Sequence, residues 1–442
     1  MLRRFVFGLS LMSAASLSHP VLAGTEPPLQ VIISKTEQSM TVYDGDVRIA
    51  TSRVSTGKSG HTTPSGIFSI LEKRRYHESN IYSNAPMPFM QRLTWSGIAL
   101  HEGHVPDYPA SHGCIRIPPA FAKTLFGMTR AGMHVVITDE PVEPYRIEHV
   151  NLFAPIKPLT TKPLLSDIDL RPTVKRQTDA VYEVAMNSGD IAPDMTITAS
   201  INGDVGAPLR ILVHRRGERE TIRDVQGLLT YLGFDAGDAD GIIGSRTRQA
   251  ITGFKRWKKL PADSARLTEE FLSALYRASG EDRPPAGQLL VRQNFKPVFE
   301  TPVGIQQPQI PLGTHFFSAK TVDRIRETAE WYALSVPNVM TASEKQRLGI
   351  AAERDTSSAA QALERLSIPA DVRERIGALM ASGTSLTITD QAIGPETGKG
   401  TDFITLTRTQ ADIEKPKSAI VRKPEKPRRA KLSPYRSGIG LY

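Results

Sequence analysis

"LHEGHVPDYPASHGCIRIP", Leu100 to Pro118, holds the only cysteine of a 442-residue chain, Cys114, with three histidines close by: His101, His104 and His112. A lone thiol cannot form a disulfide within its own chain, and an exposed one is open to oxidation. It can be a nucleophile, a metal ligand or a buried, inert core residue. Its surroundings favour the first. His101 ends "WSGIALH", which reads as a strand, thirteen residues before Cys114. The intervening "EGHVPDYPASHG" is rich in Gly, Pro and Asp and reads as a loop that folds back. An imidazole and a thiol then share one rim, and the imidazole can take the thiol proton to leave the reactive thiolate. Gly113 lets the backbone bend tightly just before the thiol. N–H groups near Gly113 and Cys114 are expected to face a developing oxyanion, and the helix from Pro118 to add its N-terminal dipole.

Zinc is the competing chemistry. His101, His104, Asp107, His112 and Cys114 are all ligand types. "HEGH" is not the His-Glu-x-x-His helix signature, and the stretch is too rich in Pro and Gly to be a helix. No metal and no cofactor is expected.

Outward from this stretch, residues 29–140 read as a mainly-β domain with one helix. "LQVIIS" and "SMTVYDGDVRIATSRVST" alternate β-branched and polar residues around turn signals. "TPSGIFSIL" and "MHVVITD" are further strands, and "PPAFAKTLFGMTRAG" is a helix with Pro at its start and Gly132 past its end. Residues 141–173 are Pro-rich and read as a linker. Residues 174–213 hold strand-like pieces, "DMTITASING" and "LRILVH", without a functional reading. Residues 218–278 change period. Ile222, Val225, Leu228, Leu229 and Leu232 fall at helical spacing, as do Ile251, Phe254 and Trp257. A helix capped at Ser245 and a third over Leu267–Tyr276 complete a three-helix module. Its "DADG" acids lack the ligand spacing of a calcium loop.

The ends of the chain speak to location. Arg3 and Arg4 precede an apolar run and Val21-Leu22-Ala23, which reads as a secretory signal over residues 1–23. The chain is expected to be exported, periplasmic or cell-wall associated. The formal net charge is +9, but Glu414 to Arg436 alone carries nine Lys/Arg against two Glu. Residues 412–442 therefore read as a basic, Pro-rich, disordered tail that contacts anionic wall polymer or membrane, or is simply solvated. The remainder is close to neutral, so no nucleic-acid partner is expected.

Residues 288–408 carry an echo of the first domain. "IRIPPAFAKTLFGMTRAGMHVVITD" (Ile115 to Asp139) lies on "LSIPADVRERIGALMASGTSLTITD" (Leu366 to Asp390) without a gap. Upstream, "MTVYDGDVRIATSRVSTGKSGHTTPSGIF" resembles "LLVRQNFKPVFETPVGIQQPQIPLGTH" with a short deletion. A degenerate second copy is expected, with Arg365 at the place of Cys114 and Leu363 at that of His112.

Two resemblances join these readings. Ser111-His112-Gly113-Cys114-Ile115-Arg116 resembles the active-site motif of L,D-transpeptidases with a YkuD-type catalytic domain, and "VSTGKSGHTTPSGIF" and "GIALHEG" fit the same family. "VQGLLTYLGFDAGDADGIIGSRTRQAITGFKRWKKLPAD" resembles the peptidoglycan-binding module of bacterial cell-wall enzymes, with Lys255 where Gln is usual. The fold class implied is α+β: a mainly-β catalytic domain, a three-helix wall-binding domain and the degenerate transpeptidase-like copy. The resemblance implies Cys114 as nucleophile and His101 as general base and acid, oriented by the backbone carbonyl of Glu102. His112 and Gly113 support the site, and Arg116 holds a stem carboxylate or pairs with an acid. The implied partners are peptidoglycan stem peptides and glycan, with a diaminopimelate-type stem. The implied outcome is a 3–3 cross-link; water or a protein amine as acceptor gives carboxypeptidase activity or protein attachment. The spacer from His101 to Ser111 is shorter than the family's usual one, which leaves the acceptor open. A noncatalytic scaffold and a wall metallopeptidase stand as the other classes.

Overall fold

The computed structural model describes residues 28–79, 84–157, 206–261, 265–281, 284–351, 357–394, 396–398 and 400–414. The expected leader, "DMTITASING", residues 158–173 of the linker and the tail beyond Glu414 lie outside the described residues. Among the described residues no helix is long and apolar enough to cross a membrane.

The N-terminal unit contains β1 (Gln30–Ser34), β2 (Ser39–Asp44), β3 (Val47–Arg53), β4 (Ser65–Ser69), β5 (Glu72–Arg74), β6 (Met90–Arg92), β7 (Ala99–Glu102), β8 (Ile115–Ile117), α1 (Pro119–Met128) and β9 (His134–Thr138). β1 lies at its centre, antiparallel to β2 and parallel to β9, with β4 antiparallel to β9 on the far side. Burial on both faces explains the near-continuous β-branched runs QVIIS and HVVIT. A separate sheet, β5-β6-β7-β8, carries the site stretch.

The chain continues through β10 (Tyr145–Ile147), β11 (Leu209–Arg215), α2 (Glu218–Tyr231), α3 (Ser245–Trp257), α4 (Glu269–Ala278), β12 (Gly287–Gln293) and β13 (Lys296–Ile305). β14 (Thr314–Asp323), β15 (Thr328–Ser335), α5 (Ala342–Arg347), α6 (Ala359–Glu364), β16 (Leu366–Ser367), α7 (Ala370–Leu379), β17 (Ser385–Thr389), β18 (Thr405–Thr407) and α8 (Gln410–Glu414) follow. The helical module, with its own core around Val225, Leu229, Ile251, Phe254 and Phe271, lies between β11 and β12. Those two strands pair with each other over their full lengths. The cap of α3 is Gly244, not Ser245, and α4 starts behind Thr268, whose hydroxyl accepts from the Phe271 N–H at 3.2 Å. The strand-like "LRILVH" forms β11, and β10, in the expected linker, is a strand that the sequence did not announce and that pairs with β15.

The pairing of β11, β12, β13, β14 and β17 repeats that of β1, β2, β3, β4 and β9, strand for strand and direction for direction. Both β2–β3 and β12–β13 break register at matching places, between Val42 and Tyr43 and between Val291 and Arg292. An ion pair recurs as well: Lys35–Asp139 at 3.0 Å, and Arg215–Asp390 at 2.5 Å. These registers carry residues 39–69 onto 288–318 without a gap, so the short deletion expected upstream is not needed. β5, β6 and β7 have no counterpart; the β14–β15 hairpin with α5 and α6 occupies that length of chain.

The units are interlocked. β18, from the C-terminal unit, completes the N-terminal sheet along β4, while β10 edges the C-terminal sheet. The sheets also bury a shared cluster that includes Ile32, Tyr43, Ile67, Val136, Phe316 and Leu334. Gly66, at φ +151°, has no room for a side chain: a Cβ there would sit 2.2 Å from the Thr405 carbonyl oxygen. Gly66→Val is therefore expected to destabilise the chain by at least about 2 kcal/mol in urea titration by detaching β18. An unchanged midpoint would show that β18 is not needed for the sheet.

Candidate active site

The four-stranded sheet builds the site by alternation. Side chains at successive positions point to opposite faces, and paired residues share a face. Leu100 pairs Ile115, and both lie fully buried in the core with Ile117. The opposite face carries His101, paired with Arg116 across the parallel β7–β8 ladder. Cys114, two residues before Arg116, falls on that same face next to Ala99, whose small side chain leaves the thiol room. β6 adds Arg92, paired with Ala99, and Met90. These residues line one cavity of about 120 Å³, whose lining also includes His77, Ser79, Pro86 and Met87.

Local bonds fix the turn before the thiol. The Ser111 hydroxyl donates to the Cys114 carbonyl at 2.5 Å and accepts the Gly113 N–H at 3.1 Å. Thr63 donates its hydroxyl to the Gly113 carbonyl at 2.7 Å, and that hydroxyl accepts the Gly57 N–H at 2.8 Å. Gly113 has φ +119°, which favours glycine. Its N–H is engaged by Ser111, so in this state it does not face an oxyanion. The helix dipole is also displaced from the thiol. β8 intervenes between Cys114 and α1, and four extended residues span about 13 Å, beyond the reach of a helix terminus.

The electrostatics favour a neutral pair. Burial pushes the Cys114 thiol up, opposed by a backbone bond from Ala99 and the charges of Arg92 and Arg116. The thiol donates to the Gly97 carbonyl at 3.3 Å. Burial also pushes His101 down, against the bond to Glu102, with Arg116 adding to the lowering. His101 Nδ1 lies 2.7 Å from the Glu102 carbonyl oxygen. A carbonyl only accepts, so Nδ1 carries the hydrogen and Nε2 keeps the lone pair of a base.

Of the other candidates, His112 also lines this cavity. It is exposed at the rim and meets His61 edge-on, ring centroids 4.8 Å apart, while desolvation and the charge of Lys58 lower it. His104 is exposed, and Asp107 pairs with Arg53. Among the described residues no three His, Cys, Asp or Glu converge to hold a metal ion. Phe89 packs on Phe126 rather than lining the cavity, and Trp95 stands 53 % exposed beside Arg92. Sequence reasoning missed Arg92, His77 and Thr63. No local signal pointed to Arg92, because β6 is only three residues long and its pairing with β7 is set by the fold.

Residues 28–137 match the family model of the L,D-transpeptidase catalytic domain, YkuD, and residues 218–275 match that of a peptidoglycan-binding domain. The chain thus carries an L,D-transpeptidase catalytic domain and a wall-binding domain. No curated protein matches the chain. Among solved structures, an L,D-transpeptidase from Stackebrandtia nassauensis is 28% identical over 25% of this chain and 55% of its own, at a TM-score of 0.24. One from Xylanimonas cellulosilytica is 25% identical over 26% and 62%, at 0.24. One from Mycobacterium smegmatis is 20% identical over 25% and 59%, also at 0.24. The chain thus spans little more than half the length of these solved chains.

A protonated resting thiol has a direct signature. Thiolate accumulates only as pH rises through the raised Cys114 value, so alkylation by iodoacetamide is expected to be slow at neutral pH. It should climb steeply above the ordinary thiol value of 9.0. Mass-spectrometric labelling rates that are already maximal at pH 7 would contradict a neutral Cys114–His101 pair.

Proposed function

We propose that the chain is an exported, cysteine-dependent L,D-transpeptidase acting on peptidoglycan stem tetrapeptides. The observation that carries this is the shared face of β7 and β8. It puts Cys114 and His101 in one cavity, with the Glu102 carbonyl holding His101 in the basic tautomer. His101 Nε2 takes the thiol proton as Sγ attacks the carbonyl between the third and fourth stem residues. The carbon–nitrogen bond then breaks, and His101 returns the proton to the departing D-alanine amine. A second stem's amine loses its proton to His101 and attacks the thioester. The carbon–sulfur bond breaks, the thiol is restored and a 3–3 cross-link forms. Water as acceptor yields a tripeptide, and a protein amine yields protein attachment. The wall-binding domain would hold the chain against glycan, and the leader-like N-terminus supports export.

Cys114→Ala is expected to abolish both D-alanine release and cross-linking from tetrapeptide muropeptides. His101→Gln should lower the rate by about 10²- to 10⁴-fold. Product chromatography reads both and separates dimer from tripeptide. Turnover in Cys114→Ala would refute the thiol mechanism, whereas loss with a chelator but not with alkylation would point to a metal enzyme.

The C-terminal unit is, in the same proposal, a degenerate and catalytically silent second copy, begun by β11 and interrupted by the wall-binding domain. The repeated strand order, bulge and ion pair support this. Arg365, at the place of Cys114, is buried and donates to the carbonyls of Gln306, Gln307, Ile310 and Pro311. It acts as a fastener rather than a nucleophile. Arg365→Met is expected to cost on the order of 3 kcal/mol in denaturant titration while leaving the pH profile of Cys114 labelling unchanged.

A further inference from the structure

The cavity around Cys114 has a second cation that neither the motif nor the mechanism uses. Arg92 lies in one cross-strand row with Ala99, beyond which stands Cys114, and with Glu72 on the other side. Two strand spacings separate Arg92 from Cys114, about 10 Å between backbones, a gap that a guanidinium side chain partly spans. Arg116 sits one step further along the same face, level with His101. Among the described residues, no Asp or Glu lines the cavity.

Glu72 does not cancel this charge. Its carboxylate is shared, accepting from Arg74 Nε at 2.6 Å and from Arg92 Nε at 3.0 Å. One acid thus serves two guanidinium groups. Arg92 gives only its Nε to Glu72; its terminal Nη2 lies 3.4 Å from His77 Nε2, on the cavity wall. The guanidinium is held 5.4 Å from the Trp95 ring, which fixes its plane without consuming its terminal donors. The side chain is 14% exposed, so a carboxylate meeting it would be largely out of water, where a two-pronged bond is strongest.

The two arginines are placed for different parts of one peptide. The leaving amine must be near His101, hence near Arg116. The residue whose carbonyl is attacked then extends toward β6. We propose that Arg92 is a specificity-determining residue that binds a side-chain carboxylate on the acyl-donating residue of the stem peptide. This rests on the transpeptidase reading and deepens it: the acyl donor would be selected for a free acid at that side chain.

The test compares two tetrapeptide donors, one with diaminopimelate as the third residue and one with its side-chain carboxylate amidated, using the full chain. The wild type is expected to prefer the free acid in kcat/KM by about 10- to 100-fold, the span of one charged hydrogen-bonded contact. Arg92→Gln should bring the two donors within about 3-fold of each other by slowing only the acid, and Arg92→Lys should restore part of the preference. A packing role alone would slow both donors equally and leave their ratio intact, which would overturn the proposal. So would a wild type that turns over both donors equally. Turnover of neither donor by the wild type would sink the transpeptidase reading together with this one. Urea-titration midpoints of the variants close to that of the wild type would show that the variants are folded.

Discussion

The parallel pairing of β7 with β8 is the constraint on which the site depends. A parallel pair cannot be closed by a tight turn, so the chain between Glu102 and Ile115 must leave the sheet and come back. The register on return decides everything about the chemistry. With Leu100 opposite Ile115, one face becomes core and the other presents Ala99, His101, Cys114 and Arg116. A slip of one residue would bury the thiol and expose two isoleucines. The bonds at the loop's end guard against that slip. Ser111 straps Gly113 and the Cys114 carbonyl, and Thr63, in the segment before β4, straps Gly113.

Thr63 also links the site to the rest of the molecule. It precedes β4, the strand that β18 completes. Its carbonyl accepts from Lys35, which pairs with Asp139, and Asp139 accepts from Ser65. The C-terminal unit thus supports the edge from which the thiol turn is held. In its own version of this corner, Arg215 and Asp390 are buried, at 3% and 4% exposure, and Asp390 accepts the N–H groups of Leu312 and Gly313. A charge pair so enclosed needs those extra bonds, because water no longer solvates it. The N-terminal pair, at 15% and 28%, is more open to water.

How much of this was legible beforehand depends on the range of the interaction. His101 and Cys114 announced themselves because the strand end, the Gly-Cys bend and the motif are local. α1 announced itself through Pro at its start. The helix dipole and the Gly113 N–H were misjudged because both depend on how far β8 extends and on where the Ser111 hydroxyl turns. Arg92 was invisible for a different reason: β6 is only three residues long, and nothing in "MQR" says which strand it pairs with. The second sheet was half visible. "LSIPADVRERIGALM" can be laid on its counterpart, but β11 stands apart from β12 by the whole helical module, and no local pattern joins them.

That separation is itself physically simple. Arg215 and Gly287 are paired residues at the open end of the β11–β12 ladder, so the chain leaves and re-enters the sheet at adjacent points. Such a hairpin end accepts any insert whose own termini lie close together, because the loop-closure cost grows only slowly with length. The three-helix module satisfies this by tying its ends to one residue. Asp224 in α2 accepts the Tyr276 hydroxyl of α4 at 2.5 Å and pairs with Arg216 at the exit of β11 at 2.7 Å. Burial and that carboxylate push the Tyr276 hydroxyl far above its ordinary value, so it stays a donor. Arg223 reaches across to Glu300 on β13 at 3.2 Å, though both are exposed and the pair adds little. Asp224 is therefore the residue that sets how the wall-binding domain is carried, and the unit that carries it shares a sheet edge with the catalytic domain. The wall-binding domain and the face that holds Cys114 are then carried by interlocked sheets rather than by two domains on a string.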